Sequence, residues 1–373
     1  MKDKSKYSRI DIPWAEPSFY GKERRFLIDA FDSGWLSEGY YVKRFEEEFS
    51  HYHHAAYGLT TSNGTSSLFL SLIGLGIGRG DEVIVPGFCF ASAVNMVIAV
   101  GAKPVYADID PQTWCISPEE IKRCISPKTK AVLVVHTYGN VCDMESIIKI
   151  VKEYNIYLIE DAAEAAFSRC GLRYAGSFGD AGCFSFHASK TIVMGEGGAI
   201  ITNSSELYER IRLIRDHGRS RDRYYWHEAI GYNFRLTNLQ AAIGCGQLEN
   251  AEKIVSERQR IWGLYSKLLK GEEGIELQYF SSEVTPVVWS TAVKIREDVF
   301  KLDRDMVIKK LLEAGIETRP GFCAFSMMPL YNAPPLPVSE RISTNVISLP
   351  SYISLSDEQI YFICDTLKQL RQV

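Results

Sequence analysis

Long apolar runs are missing from this 373-residue sequence: the longest, such as Ala131 to Val135, fall far short of the roughly 18 to 20 residues that a membrane-spanning helix needs. The opening MKDKSKYSR is polar with no apolar stretch behind it, so the expectation is a cytoplasmic protein with no membrane partner. An excess of positive charge is also lacking. Lys and Arg number 42 against 46 Asp and Glu, a formal charge of −4, and the short basic stretches Lys2–Arg9 and Arg219–Arg223 are diluted by acids and aromatics. Nucleic acid is therefore not expected as a partner. The nine cysteines contain no CxxC pair and lie scattered in apolar segments, which reads as reduced, buried thiols rather than a disulfide framework. No metal is expected: the run His51-Tyr52-His53-His54 has no acidic or Cys partner at ligand spacing and reads as the solvated end of a charged helix. Repeats and low-complexity segments are absent as well.

What is present is an ordinary globular composition, 46% hydrophobic and 24% charged, at a length that allows two domains with full cores. From about residue 55 to 205 short apolar strands alternate with helical stretches: AAYGLTT, DEVIVP, PVYADI, AVLVVH, IYLIED, CFSFH and AIIT separate segments such as TSSLFLSLIGLG and MESIIKIVKEYN. Such alternation predicts βαβ units and a mostly parallel sheet between helices, an α/β fold. AVLVV and IYLIE are apolar throughout, as strands covered on both faces are. A charged helical region from Ser205 to about Lys270 follows. Residues 1–250, with an N-terminal arm, are expected to form the large domain. Residues 251–373 are expected to form a smaller α+β domain from STAVKI, DRDMVIKKLLEAG, a Pro-rich loop at 329–337 and SDEQIYFICDTLKQL.

Three segments carry chemistry. Ser62-Asn63-Gly64-Thr65-Ser66-Ser67 lies between a strand and a helix, where the amides of the first helical turn suit an anion such as phosphate; a plain N-cap would use the same residue types. Asp161 stands where the buried strand IYLIE ends, the place at which ligands bind in open α/β sheets. A desolvated carboxylate there would hold a ring nitrogen protonated, or simply cap a helix. Lys190 follows an apolar strand and precedes Gly195-Glu196-Gly197-Gly198, and a lysine in apolar surroundings can act as a nucleophilic amine. Ser189-Lys190-Thr191 mimics the end of a P-loop, but Phe184 and Ser189 stand where that motif needs glycines.

The segments SNGTSSL, GDEVIVP, IEDAAEA, FSFHASKTIVMGEGG and GYNFRLTNLQAAIG, in that order, resemble the nucleotide-sugar aminotransferase family of fold-type-I pyridoxal phosphate enzymes. RYYWHEAIGYNFRLTNLQAAIG, IETRP and NVISLPSYISLSDEQI are similar to the GDP-perosamine synthase branch of that family. The resemblance implies a cofactor, pyridoxal 5'-phosphate, that cycles through its pyridoxamine form, with Lys190 holding it covalently and then moving protons. It further implies Asp161 on the pyridine nitrogen, Phe90 stacked on the ring, Glu164 near the ring hydroxyl, and Gly64, Thr65, Ser66 and Ser185 on the phosphate. Asn233 would reach the cofactor of a neighbouring subunit, so that a homodimer shares its sites. The implied activity is amination of a nucleotide-linked 4-keto-6-deoxysugar, with L-glutamate as donor, in amino-sugar and O-antigen biosynthesis.

Bland readings stand beside these: Phe90 as a core aromatic, Asn233 as a turn cap. The chain also departs from that branch. Phe186-His187-Ala188-Ser189 precedes the lysine where the branch usually reads FFGN, and His187 could tune proton transfer, touch the sugar or merely pack. Ser326 stands where relatives carry a His near the sugar. Arg319 of IETRP suits a diphosphate as a bidentate donor, or a plain surface position. The rival activities are a sugar 3-aminotransferase, an aminotransferase for another keto sugar or a cyclitol, and a silent regulator on the same fold.

Overall fold

A computed structural model of the chain describes residues 11–372; the basic stretch Lys2–Arg9 lies outside them. Strands β1 (Tyr57–Thr61), β2 (Glu82–Pro86), β3 (Lys103–Ala107), β4 (Thr129–Val135) and β5 (Tyr157–Asp161) come first. The short pair β6 (Arg169–Cys170) and β7 (Arg173–Tyr174) precedes β8 (Ala181–Ser185) and β9 (Gly198–Thr202). Seven of them form one sheet in the order β1-β9-β8-β5-β4-β2-β3, parallel except for β9, which runs against both its neighbours.

Successive side chains of a strand point to opposite faces, and here both faces are dry. Ala131, Leu133 and Val135 of β4 join one apolar cluster, Val132 and Val134 the other. This is why β4 is apolar at every position from Ala131 to Val135 rather than at alternate ones.

The charged region after Ser205 is not one helix. Helix Ser205–Arg215 is followed by an extended excursion, held by the bridges Asp216↔Asn233 and Arg219↔His227, before helices Asn238–Leu248 and Ala251–Leu269. The last of these begins in the large core with Ala251 and Ile254 and ends in a second cluster with Ile261, Tyr265 and Leu269. That second core lies under an antiparallel sheet ordered β10-β12-β14-β13, formed by β10 (Ile275–Leu277), β12 (Ala292–Ile295), β13 (Arg319–Pro320) and β14 (Val346–Ser348), while β11 (Val284–Thr285) pairs with β6. Ile12 belongs to it too, because its carbonyl accepts from Glu317 N–H and its own N–H donates to Gly315, so the segment 11–14 sits on the C-terminal part of the molecule. The Pro-rich loop is shorter than expected, since Pro337 opens a helix that runs to Asn345.

The reading of His51–His54 as a solvated helix end is corrected at His53. Helix Tyr40–Tyr52 stops just before it, and the ring turns inward among Phe49, Phe167, Tyr174 and Phe184 with no exposed surface. Its Nδ1–H donates to the Phe49 carbonyl at 3.0 Å, and burial lowers its pKa to about 4, so it is a neutral core residue. Among the described residues no helix is long and apolar enough to cross a membrane.

Candidate active site

The C-terminal ends of β5 and β8 and the start of helix Gly64–Gly74 face a cavity of about 600 Å³, with the loops after Trp289 and Arg319 on its far side. Asn63 caps the helix, its side chain accepting from Ser66 N–H at 2.8 Å. Gly64 must be glycine: a Cβ there would lie 2.8 Å from Ser185 Cβ, so the absence of a side chain lets the helix close on β8. The first amides of the helix, at Gly64 and Thr65, have no preceding-turn carbonyl to bond and stand at the cavity wall beside Ser185. Backbone dipoles at such a helix start suit an anion.

Asp161 is 4% exposed, and its Oδ1 accepts from Ala163 N–H at 3.0 Å. Burial raises its pKa, while the Ala163 amide and the Lys190 charge pull the other way, so the carboxylate needs a cationic partner from the cavity. Lys190 Nζ lies 3.8 Å from Glu164 Oε1 and 3.8 Å from the centroid of the Trp289 ring. Burial lowers its pKa; Glu164 and then Asp161 oppose that. Glu164 is pushed up to about 7 by burial, against the pull of Lys190 and of the Tyr138 amide, which donates to its Oε2 at 2.8 Å. Tyr138 holds that amide in place with a φ of 58°, a left-handed conformation that a tyrosine adopts only under constraint. Phe90 lines this cavity and is 58% exposed, although Phe88, two residues before it, is fully buried. It is a free aromatic face, not a core residue.

The structure thus brings Gly64, Thr65, Phe90, Asp161, Glu164, Ser185, His187, Lys190 and Arg319 to one cavity. Three expected residues are elsewhere. Ser66 turns away, its Oγ bonded to Asn63 at 3.0 Å and to Ser62 at 2.9 Å. Ser326 is corrected: its hydroxyl donates to Glu340 at 2.7 Å and steadies helix Pro337–Asn345 rather than lining the cavity, because the chain turns inward at Phe325. Asn233 is exposed on the excursion 216–235 and does not line the cavity. His187 sits on the rim, with its Nδ1 3.0 Å from Ser189 Oγ. Trp289, Tyr138 and Arg258 were not singled out in the sequence. Arg258, 5% exposed, donates to the carbonyls of Trp289 (2.8 Å), Lys190 (3.3 Å) and Ser351.

A lysine amine, a buried carboxylate and an anion-binding helix start, all at strand ends of a mostly parallel sheet, define the site of a fold-type-I pyridoxal phosphate enzyme. The residues fit that group. Amides at the helix start beside Gly64 would suit its phosphate, the exposed ring of Phe90 its aromatic face, and the buried carboxylate of Asp161 its ring nitrogen.

The sequence pattern of the DegT/DnrJ/EryC1/StrS aminotransferase family matches residues 20–368. GDP-perosamine synthase of Escherichia coli O157:H7 is 39% identical over 361 residues, covering 96% of this chain and 98% of the relative. The crystal structure of DesI in the presence of its TDP-sugar product superposes with a TM-score of 0.89 at 30% identity, covering 97% of this chain and 93% of DesI. The sugar aminotransferase Spr1654 of Streptococcus pneumoniae, described as putative and solved in PLP and PMP forms, superposes with TM-scores of 0.91 and 0.92 at 25% identity. It covers 97% of this chain, which in turn covers 98% and 99% of it. The chain belongs to the DegT/DnrJ/EryC1/StrS family and is a pyridoxal-phosphate-dependent sugar aminotransferase.

Proposed function

We propose that this enzyme, working in the cytoplasm as a homodimer, aminates C4 of a nucleotide-linked 4-keto-6-deoxysugar with L-glutamate as donor. The carrying observation is the single cavity that joins Lys190 and Asp161 to a far wall of Phe322 and Arg319, large enough for a sugar beyond the cofactor. Bound there, pyridoxal phosphate supplies a pyridine ring that accepts the electron pair left when the proton leaves the amino-bearing carbon.

The chain does the rest. Thr65, Ser185 and the amides after Asn63 would hold the phosphate, and Phe90 would pack on the ring. Asp161 stays ionised opposite the pyridinium and so keeps that nitrogen protonated. Lys190, once free, would be the base that takes a proton from the donor's amino-bearing carbon and the acid that gives one back, with Glu164 3.8 Å away to hold its ammonium. Arg319 offers a planar cation to the diphosphate from the rim, already oriented by Glu317 at 2.6 Å. Asn233 acts on the partner's cofactor. Exposed Phe31 and Tyr40 on the first two helices, Trp35 in the turn between them, and Tyr224, Tyr225 and Ile230 on the excursion carrying Asn233 support the dimer, since exposed large apolar side chains in number mark interfaces.

The test is a visible absorbance titration of the pyridoxamine form with GDP- and dTDP-linked 4-keto-6-deoxysugars and a 3-keto sugar as control. Recovery of the pyridoxal spectrum with the GDP sugar alone is the expected result. Recovery with only the dTDP or the 3-keto sugar would reassign the substrate, and no recovery with any would sink the assignment.

A further inference from the structure

Trp289 is held more firmly than a space-filling aromatic requires. Its indole N–H donates to the Ser189 carbonyl at 2.6 Å, its backbone N–H to the Tyr138 carbonyl at 3.2 Å, and its own carbonyl accepts from Arg258 at 2.8 Å. Trp14 packs edge-on at 5.6 Å and 88°, and is itself tied through Nε1 to Ser348 at 2.9 Å. The same Arg258 donates to the carbonyl of Lys190. One guanidinium therefore ties together the backbones of Trp289 and Lys190, and the indole N–H bond to Ser189 holds the ring orientation beside the amine. The ammonium lies 3.8 Å from the ring centroid, well inside the roughly 6 Å range of a cation–π contact.

We propose that the indole face of Trp289 is the seat on which the freed amine of Lys190 rests as an ammonium between taking up a proton and delivering it, which makes Trp289 a positioning residue of the transamination. The inference rests on the reading of Lys190 as the proton carrier. A catalytic lysine freed from its cofactor carries four flexible methylenes and would otherwise sample the cavity. A π face holds the charged amine without competing for its protons, whereas a second carboxylate at that distance would bind them outright. Trp289 supplies attraction and Glu164, on the other side, supplies charge.

The groups that face the amine can be named. Glu164 and Asp161 come from the end of β5 and the turn after it, Arg258 from helix Ala251–Leu269, and Tyr138 from the turn after β4. Arg319 faces it across the cavity, Glu16 from the N-terminal segment, and His187 and Glu196 from its own loop. Burial and the arginines favour the neutral amine; the carboxylates and the indole face favour the ammonium.

The test uses the full-length apoprotein, so it needs no bound cofactor. Reductive methylation by formaldehyde and cyanoborohydride labels neutral amines, and mass spectrometry of the Lys190 peptide across a pH series gives the midpoint of that amine. Trp289→Met, which keeps apolar bulk without a π face, should lower the midpoint by about one pH unit, and Trp289→Phe by less. Glu164→Gln gives a scale, because it removes a known charge and must also lower the midpoint. A loosened fold would admit water and raise the midpoint, the opposite sign. An unmoved or raised midpoint in folded Trp289→Met overturns the proposal. If that variant does not fold, incorporation of mono-, di- and trifluorotryptophan into the wild-type chain drains the π face without changing its shape. The midpoint should then fall stepwise, and a flat series overturns the proposal equally. Failure of the apoprotein to take up pyridoxal phosphate would undo the functional reading and leave these midpoints standing.

Discussion

Lys190, Asp161 and Ser185 stand at or just beyond the ends of strands buried along most of their length, whereas His187 and Phe322, on loops, and Arg319, on the edge strand β13, stand at the rim of the same cavity. The inner wall is nearly anhydrous: Asp161 and Glu164 are 4% and 3% exposed, and both carboxyls have raised pKa values because of it. The outer wall is wet, and its cation Arg319 is already paired with Glu317. Charges in the inner wall act at low dielectric on whatever is bound, as chemistry requires. Those in the outer wall are screened, and recognise more than they react.

If the two walls divide the work in this way, Lys190→Ala should give the largest effect of any single change. It removes the only lysine amine in the cavity among the described residues, and kcat should fall by about 10⁴-fold while sugar binding stays within about threefold, measured by single-turnover absorbance and by equilibrium titration. Arg319→Ala should do the reverse, raising KM for the nucleotide sugar by about tenfold, the scale of one lost charge-assisted hydrogen bond, with kcat little changed. A fall in kcat as large as that of Lys190→Ala would move Arg319 into the reacting machinery and erase the division.

The same contrast governs what could be read from the residues alone. The inner wall was legible as a cluster because its parts are contiguous motifs at strand ends, where ligands bind in open α/β sheets, although Asp161 alone could equally have been a helix cap. The alternating apolar strands gave the sheet for a similar reason, since burial on both faces leaves a run without polar positions. Trp289 was illegible. In VVWSTAV it is one more apolar residue of a strand approach, and its function comes from meeting Lys190 across 99 positions of chain. His53 failed the same way: next to His51 and His54 it looked solvated, yet the aromatic pocket that buries it is assembled from residues 167, 174 and 184. Local composition reports a residue's neighbours in sequence, and both the omission of Trp289 and the misreading of His53 arose where the neighbours in space decide.

Ser326 tests the outer wall most finely, because its place in the sequence suggested the sugar and its place in the structure is beneath helix Pro337–Asn345. Its hydroxyl is the first cause, ahead of the Leu336 amide, of a Glu340 pKa below the ordinary glutamate value. A depressed carboxyl contributes stability that is fully present above its unfolded pKa and is lost as the pH falls through the folded value. Ser326→Ala should therefore lower Tm by about 2 °C or less near neutrality, a deficit kept small by the exposure of Glu340, and the two proteins should converge in acid. KM for the sugar should stay within about twofold at every pH. A large KM effect with no change in Tm would put the hydroxyl on the substrate after all, and with it the loop from Phe322 to Pro329 into the binding wall.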